Sequence, residues 1–210
     1  MPLLKVPANQ RGLFVVLEGI NGAGKSTIVN ALKTLTDHHA VTPVRYQREP
    51  TNSPAGMRLR QGSNSVQDSY LDRQDHQSAL LSLINSGIDV VCDRYALSCS
   101  ALQFDDWKDG RAAYNYQMTV FLKPDLTVYV ECPAEDAAKR LLDRQKVNPD
   151  IPEPQDKEAL VSFLEDLDRK YRYLLFSEQM TRYRVVNGLC KPSYNAQRIF
   201  DWIKEYKRFR

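Results

Sequence analysis

The sequence predicts an α/β fold in which a five-stranded parallel sheet carries helices on both faces. Three observations lead there. Short apolar runs alternate with helix-length segments along the chain, a pattern that implies right-handed crossovers and parallel strands. The first run, Phe14-Val15-Val16-Leu17-Glu18, feeds into Gly19-Ile20-Asn21-Gly22-Ala23-Gly24-Lys25-Ser26-Thr27, a complete G-x-x-x-x-G-K-S loop. A helical pattern follows it at Ile28, Ala31, Leu32 and Leu35. Strand, glycine loop and helix in that order define a P-loop three-layer fold.

Taken in order, strands are expected at residues 13–18, 41–46, 88–92, 126–131 and 183–186. Helices are expected at 25–37, 54–61, 67–86, 96–117, 134–145, 156–180 and 193–207. The helix over 67–86 opens on the polar stretch Asp68 to Gln74 and carries its apolar positions later, at Ala79, Leu80, Leu83 and Ile84. Within it, Arg73 reads as a solvated arginine paired with Asp72 or Asp75. Three prolines between Lys146 and Asp156 prevent a continuous helix there. That stretch reads as a flap. The C-terminal Lys204, Lys207, Arg208 and Arg210 read as a solvated helix end.

Length and composition narrow the function classes. A chain of 210 residues suits one domain with a sizeable core, so 1–11 reads as an N-terminal tail and 12–210 as a single domain with a lid at about 140–156. A net charge of +3 is too small by itself to argue for nucleic acid, and no apolar run of about 18 residues spans a membrane. Neither is an expected partner. Residues 1–12 also lack the long apolar stretch of a secretory signal. Cys92, Cys99, Cys132 and Cys190 form no C-x-x-C pair, which points to free thiols in a reducing, cytoplasmic setting. None of the three histidines has a partner in sequence that marks a catalytic role.

The glycine loop identifies the ligand class. Its glycines let successive N–H groups converge on phosphate oxygens, and the helix behind points its positive end at them. Lys25 can reach the β and γ phosphates, and Ser26 offers a hydroxyl to Mg²⁺. In parallel sheets, ligands bind outside the carboxyl ends of the strands. There the chain has Arg48-Glu49-Pro50 and Asp93-Arg94-Tyr95. An acidic residue at such a strand end suits a metal or its waters, and the arginine offers a planar fork for phosphate.

These segments, together with Ala96-Leu97-Ser98, Lys123 to Val130 and Ala137-Ala138-Lys139-Arg140, resemble thymidylate kinases. The likeness runs in register from about residue 12 to 180, and D-R-Y-x-x-S is its most specific part. It identifies the chain as a divergent or viral member of that family. The resemblance implies transfer of the γ-phosphoryl group of ATP, with Mg²⁺, to dTMP in a cytoplasmic homodimer. It implies that Gly19, Asn21, Gly22, Ala23, Gly24, Lys25, Ser26, Thr27 and Arg140 bind ATP, with Arg140 stacked on adenine. Ser26 and Asp93 would hold the metal, with Glu18 near its waters. Arg48 would hold the acceptor phosphate, and Arg94 would bridge the two phosphates. Arg73 would read the thymine edge, with Ser98 also on the acceptor side. Gly22 matches members that use basic lid residues in place of a P-loop arginine, which makes Arg144 the lid candidate beside Lys25, Asp93 and Arg94.

Four acceptor-side positions depart from the family. Asn21 stands where Asp is usual. Ser69 stands where an aromatic stacks on the base, with Tyr70 adjacent but turned by about 100° on a helix. Leu102 and Cys99 replace other residues near the sugar and base. Alternative acceptors are therefore dUMP, a modified pyrimidine or a broader set of deoxynucleoside monophosphates. A deoxynucleoside kinase is the nearest rival enzyme. A GTP-dependent switch lacks its N-K-x-D motif here. For the homodimer, helices 67–86 and 96–117 offer Ala79, Leu80, Leu83, Ile84, Ala101 and Leu102, which core packing explains equally well.

Overall fold

A computed structural model describes residues 11–39, 44–63, 65–147, 156–176 and 183–209. The elements in chain order are β1 (Phe14–Glu18), α1 (Lys25–His39), β2 (Val44–Arg48), α2 (Pro54–Arg60), α3 (Val66–Asn85), β3 (Asp89–Asp93) and α4 (Ala96–Leu102). They continue with α5 (Trp107–Val120), β4 (Leu126–Glu131), α6 (Ala134–Val147), α7 (Lys157–Phe176), β5 (Tyr183–Asn187) and α8 (Pro192–Arg208). The five strands form one sheet in the order β2-β3-β1-β4-β5, and every pairing is parallel. The α/β expectation with five parallel strands is met.

β1 lies at the centre, and all five of its residues are buried. A strand covered on both faces needs a continuous apolar run, which Phe14 to Leu17 supplies. Helix α1 packs on α8, while α7 packs on α4, α5 and α6. The core gathers the strand residues with Ile28 and Leu32 of α1, Leu160 and Leu164 of α7, and Ile199 and Ile203 of α8.

The single helix expected at 96–117 is two. α4 stops at Leu102, and the chain turns before α5 begins at Trp107. Asp106 causes the restart, because its carboxylate accepts from the N–H groups of Lys108 at 2.6 Å and Asp109 at 3.3 Å. These are N-cap bonds to amides that no helical carbonyl serves. Gly110 then lets α5 lie close on α4, since a Cβ there would stand 2.7 Å from the Ser100 carbonyl oxygen.

β2 runs later than expected, ending at Arg48, which pairs in register with Asp93. Residues 1–10 of the expected tail and 148–155 of the expected flap lie outside the described residues. Residues 140–147 of the expected lid form the second half of α6.

The amino ends of the strands are tied by two buried carboxylates. Asp89 accepts from the Leu13 N–H at 2.9 Å, and Asp125 accepts from the Phe14 N–H at 2.8 Å. Arg11 binds Asp125 at 2.6 Å, and Lys207 of α8 stands 2.7 Å from Asp89. The C-terminal basic cluster is thus partly structural. Lys207 faces a buried carboxylate, and Lys204 pairs with Asp201 at 2.7 Å.

Candidate active site

The loop after β1 curls because three glycines adopt positive φ. Gly22, at φ +78°, also lies against α6, where a Cβ would come 2.5 Å from the Ala137 carbonyl oxygen. Only glycine meets both demands. Lys25 opens α1 and is buried, with its ammonium donating to the carbonyls of Gly19 at 2.8 Å and Ile20 at 2.7 Å. Burial, and then the Arg94 cation, push the Lys25 ammonium well below its ordinary range. An anion in the loop would relieve both effects.

Next to it, the Ser26 hydroxyl donates to one oxygen of Asp93 at 2.5 Å. The other Asp93 oxygen is buried and has no hydrogen-bond partner among the described residues. A hydroxyl and a buried carboxylate oxygen on one side of a phosphate loop are a hard-oxygen donor set that suits Mg²⁺.

The Glu18 carboxylate meets the start of α4. It accepts from the N–H groups of Tyr95 at 2.9 Å and Ser98 at 3.3 Å, and from the Ser98 hydroxyl. It therefore caps α4 from the end of β1, satisfying amides that the cap residue Tyr95 leaves unserved. Burial raises its pKa against the opposing Ser98 hydrogen bond.

Arg94 takes φ +74°, a region that non-glycine residues rarely enter. Its N–H, bonded to the Leu17 carbonyl at 2.9 Å, holds the turn. The turn aims the guanidinium back across the loop. One terminal nitrogen donates to the Asn21 side chain at 2.6 Å, and the other to the hydroxyls of Ser98 and Tyr171, each at 3.2 Å.

On the far side of Arg94 lies a cavity between α3 and α4. Ser69, Arg73, Arg94, Ser98, Cys99 and Leu102 all line it, so six of the expected acceptor-side residues come together. Tyr70 is not among them. Its ring lies against Tyr116 at 5.9 Å and Phe121 at 6.1 Å, as the helical offset from Ser69 requires. Arg48 is exposed at the end of β2 and does not itself line this cavity, although the next two residues, Glu49 and Pro50, do.

Arg73 is the main departure from a solvated reading, being only 1% exposed. It pairs with neither Asp72 nor Asp75. Its Nε donates to Glu49 at 3.1 Å, one terminal nitrogen donates to the other Glu49 oxygen, and the second donates to Gln117. Tyr95 lies beneath the guanidinium at 4.5 Å. Burial opposes the charge of Arg73, and the Glu49 carboxylate more than restores it. Asp72 turns instead to Thr51 and Ser53, fixing the segment after Pro50.

Sequence reasoning missed four residues here. Glu49 sits beside Arg48 in a segment already singled out, so its charge was a usable signal. Gln103 follows Leu102, lines the cavity and donates to Ser69. Gln117 and Tyr171 carry no sequence signal, since both occupy positions that read as helix interior.

On the donor side, Arg140 bridges two loops, donating to the carbonyls of Gly22 at 3.2 Å and Gly188 at 3.1 Å. Ser26 and Thr27 are exposed at the loop mouth, and Arg144 is exposed on α6. Among the described residues, no helix is long and apolar enough to cross a membrane, and all four cysteines are free thiols.

A phosphate loop at the central strand, a hydroxyl–carboxylate pair beside it and an arginine at the boundary of a cavity are the features of a P-loop phosphotransferase. Comparison with known proteins narrows the class. The thymidylate kinase family model matches residues 17–186. A probable thymidylate kinase from Pyrococcus abyssi is 31% identical over 213 residues, covering 92% of this chain and 97% of that protein. A thymidylate kinase from Buchnera aphidicola is 28% identical over 210 residues, covering 92% of each. A probable thymidylate kinase from Staphylothermus marinus is 29% identical over 181 residues, covering 80% of this chain and 88% of that protein. The chain belongs to the thymidylate kinase family. It is an enzyme, a phosphotransferase acting on nucleotides.

Proposed function

We propose that the enzyme transfers the γ-phosphoryl group of Mg·ATP to the 5′-phosphate of dTMP, giving dTDP and ADP. The observation that carries this reading is the position of Arg94. Its guanidinium touches Asn21 of the phosphate loop on one side and lines the second cavity on the other. A cation there lies between two anionic substrates that repel each other.

Phosphoryl transfer of this kind needs in-line positioning and charge neutralisation. The acceptor oxygen of a phosphate monoester is already ionised near neutral pH, so no general base is required. Lys25 and the loop amides hold the donor phosphates. Ser26 and Asp93 would hold Mg²⁺, which when bound neutralises charge on the donor phosphates. Arg48 holds the acceptor phosphate from the end of β2. Arg140 faces adenine, and Arg144 supplies lid charge over the transfer site. A lid over the transfer site would exclude water, which would otherwise compete as acceptor.

In the acceptor cavity Arg73 donates to a keto oxygen of the base, and the Gln103 amide, bonded to Ser69, also lines the cavity. Ser69 leaves more room over the base than an aromatic would. That favours, as a second reading, a pyrimidine with a larger or altered substituent, or a broader set of deoxynucleoside monophosphates. The free thiols suit a reducing cytoplasmic setting, and a homodimer is the assembly we infer.

An ADP-release assay with Mg·ATP across a panel of nucleoside monophosphates and thymidine tests the proposal. dTMP is expected to be among the best acceptors. Thymidine as the better acceptor overturns the monophosphate reading, because a 5′-hydroxyl needs a base to take its proton.

A further inference from the structure

We propose that Gln117 is a specificity-determining positioning residue, which holds the Arg73 guanidinium in the one orientation that presents its spare N–H bonds to the acceptor base. The proposal rests on the acceptor reading given above.

Gln117 lies on α5 and is fully buried. An amide there costs stability unless both ends are paired, and an apolar side chain would fill the position without that demand. Both ends are paired. The oxygen accepts from Arg73, and the nitrogen donates to the Ser100 hydroxyl at 3.0 Å. Ser100 is itself buried on α4. The serine therefore aligns the amide, and the amide aligns the arginine.

The arginine has little freedom left. A guanidinium carries five N–H bonds. Among the described residues, Glu49 takes one from Nε and one from a terminal nitrogen, and Gln117 takes one from the other terminal nitrogen. One N–H remains on each terminal nitrogen, with the Cys99 sulfur within reach of the guanidinium on the cavity side. The rings of Tyr95 at 4.5 Å and Phe121 at 5.4 Å bound the guanidinium as well. Without Gln117, Glu49 alone would hold Arg73 from one side, and the free end could tilt. The spare donors suit a keto oxygen and have nothing to offer an exocyclic amino group, so tilting should blur that distinction. Neither Gln117 nor Ser100 lines the cavity, so both act through Arg73.

Steady-state constants for wild type, Q117M and S100A test this, using whichever monophosphate the wild type turns over best. Methionine is close to glutamine in volume, its thioether is only a weak acceptor, and it has no donor for Ser100. For Q117M, KM for the monophosphate should rise about tenfold, as loss of one buried hydrogen bond to a charged group implies. Turnover and KM for ATP should stay within about twofold, since the donor site is untouched. Preference for the 4-keto over the 4-amino pyrimidine monophosphate should fall by a similar factor. S100A should shift the same constant in the same direction by about threefold, and it decides the matter if Q117M does not fold. An unchanged monophosphate KM, or an equal rise in both KM values, overturns the proposal. A wild-type enzyme that turns over no monophosphate overturns the functional reading instead.

Discussion

Lys25 holds its ammonium against two loop carbonyls in a buried site, where water cannot compensate for its loss. Lys25→Ala is expected to lower turnover by about 10²–10³-fold or more, the usual effect of removing a preorganised charge from a developing anion. Saturating ADP-release rates check this, and near-normal turnover would refute its role. His76 gives a second prediction from its own surroundings. Its Nε2 stands 3.2 Å from Glu49, and its Nδ1 stands 2.8 Å from the Asp72 carbonyl. Burial opposes a charge on the ring, but the Glu49 hydrogen bond prevails and raises the pKa above the ordinary 6.5. The folded value exceeds the unfolded one. The stabilisation is therefore complete below the unfolded value and disappears as pH rises through the folded value. The thermal midpoint of wild type should exceed that of His76→Gln most on the acid side of that window, and a pH-independent gap would rule the pair out. At this scale the phosphate loop was legible because its chemistry is local, with glycine, lysine and serine at fixed spacing. Arg73 was not. Its partners Glu49 and Gln117 are 24 and 44 residues away in sequence, and no neighbour of Arg73 hints at them.

At the scale of elements, α6 and α7 bring the remaining charged and polar groups to the site. α6 lies on the phosphate loop where Gly22 would otherwise carry a Cβ, and Arg140 clamps the contact. Gly22→Arg should not yield a working arginine in the loop. It must displace α6 and hold a left-handed φ that costs about 1–3 kcal/mol. Turnover should drop at least about a hundredfold, with a lower thermal midpoint, and full activity would show that α6 moves freely. α7 delivers Tyr171, whose buried hydroxyl meets Arg94 at 3.2 Å and Ser98 at 2.8 Å. Tyr171→Phe removes one oxygen and keeps the ring in the core. We expect turnover to fall about five- to tenfold with a stability loss of about 1 kcal/mol. A turnover equal to wild type would mean that Asn21 and Ser98 alone fix Arg94. Helices and strands were readable from period and apolar runs, apart from the end of β2 and the break between α4 and α5. No glycine or proline lies at residues 103–106, and Asp106 acts as a cap only once the chain has turned. Tyr171 escaped notice because its ring obeys the core pattern while only its oxygen serves the site.

Across the whole molecule, chemistry and anchoring occupy opposite ends of one sheet. The carboxyl ends of β1, β2 and β3 lead into the phosphate loop, Glu49 and Arg94, where polar side chains gather. The amino ends of β1, β3 and β4 are bound by Asp89 and Asp125, which serve backbone amides and basic side chains. The parallel architecture was legible from the alternation of elements, but the strand order β2-β3-β1-β4-β5 was not, since pairing joins segments far apart in sequence. That division yields a separable expectation. Asp125→Ala removes the acceptor of the Phe14 N–H and the partner of Arg11, leaving a buried amide at the start of the central strand. A loss of about 1–3 kcal/mol follows from one unmet buried group, and for a chain of this size each kcal/mol lowers the thermal midpoint by about 2–4 °C. The glycine loop lies at the other end of the strand, five residues away. Turnover per folded molecule should therefore stay within about twofold of wild type below the transition. Thermal melts and ADP-release rates on the same preparation separate the two quantities. A large fall in turnover with an unchanged midpoint would mean that the strand transmits strain from its anchored end to the phosphate loop.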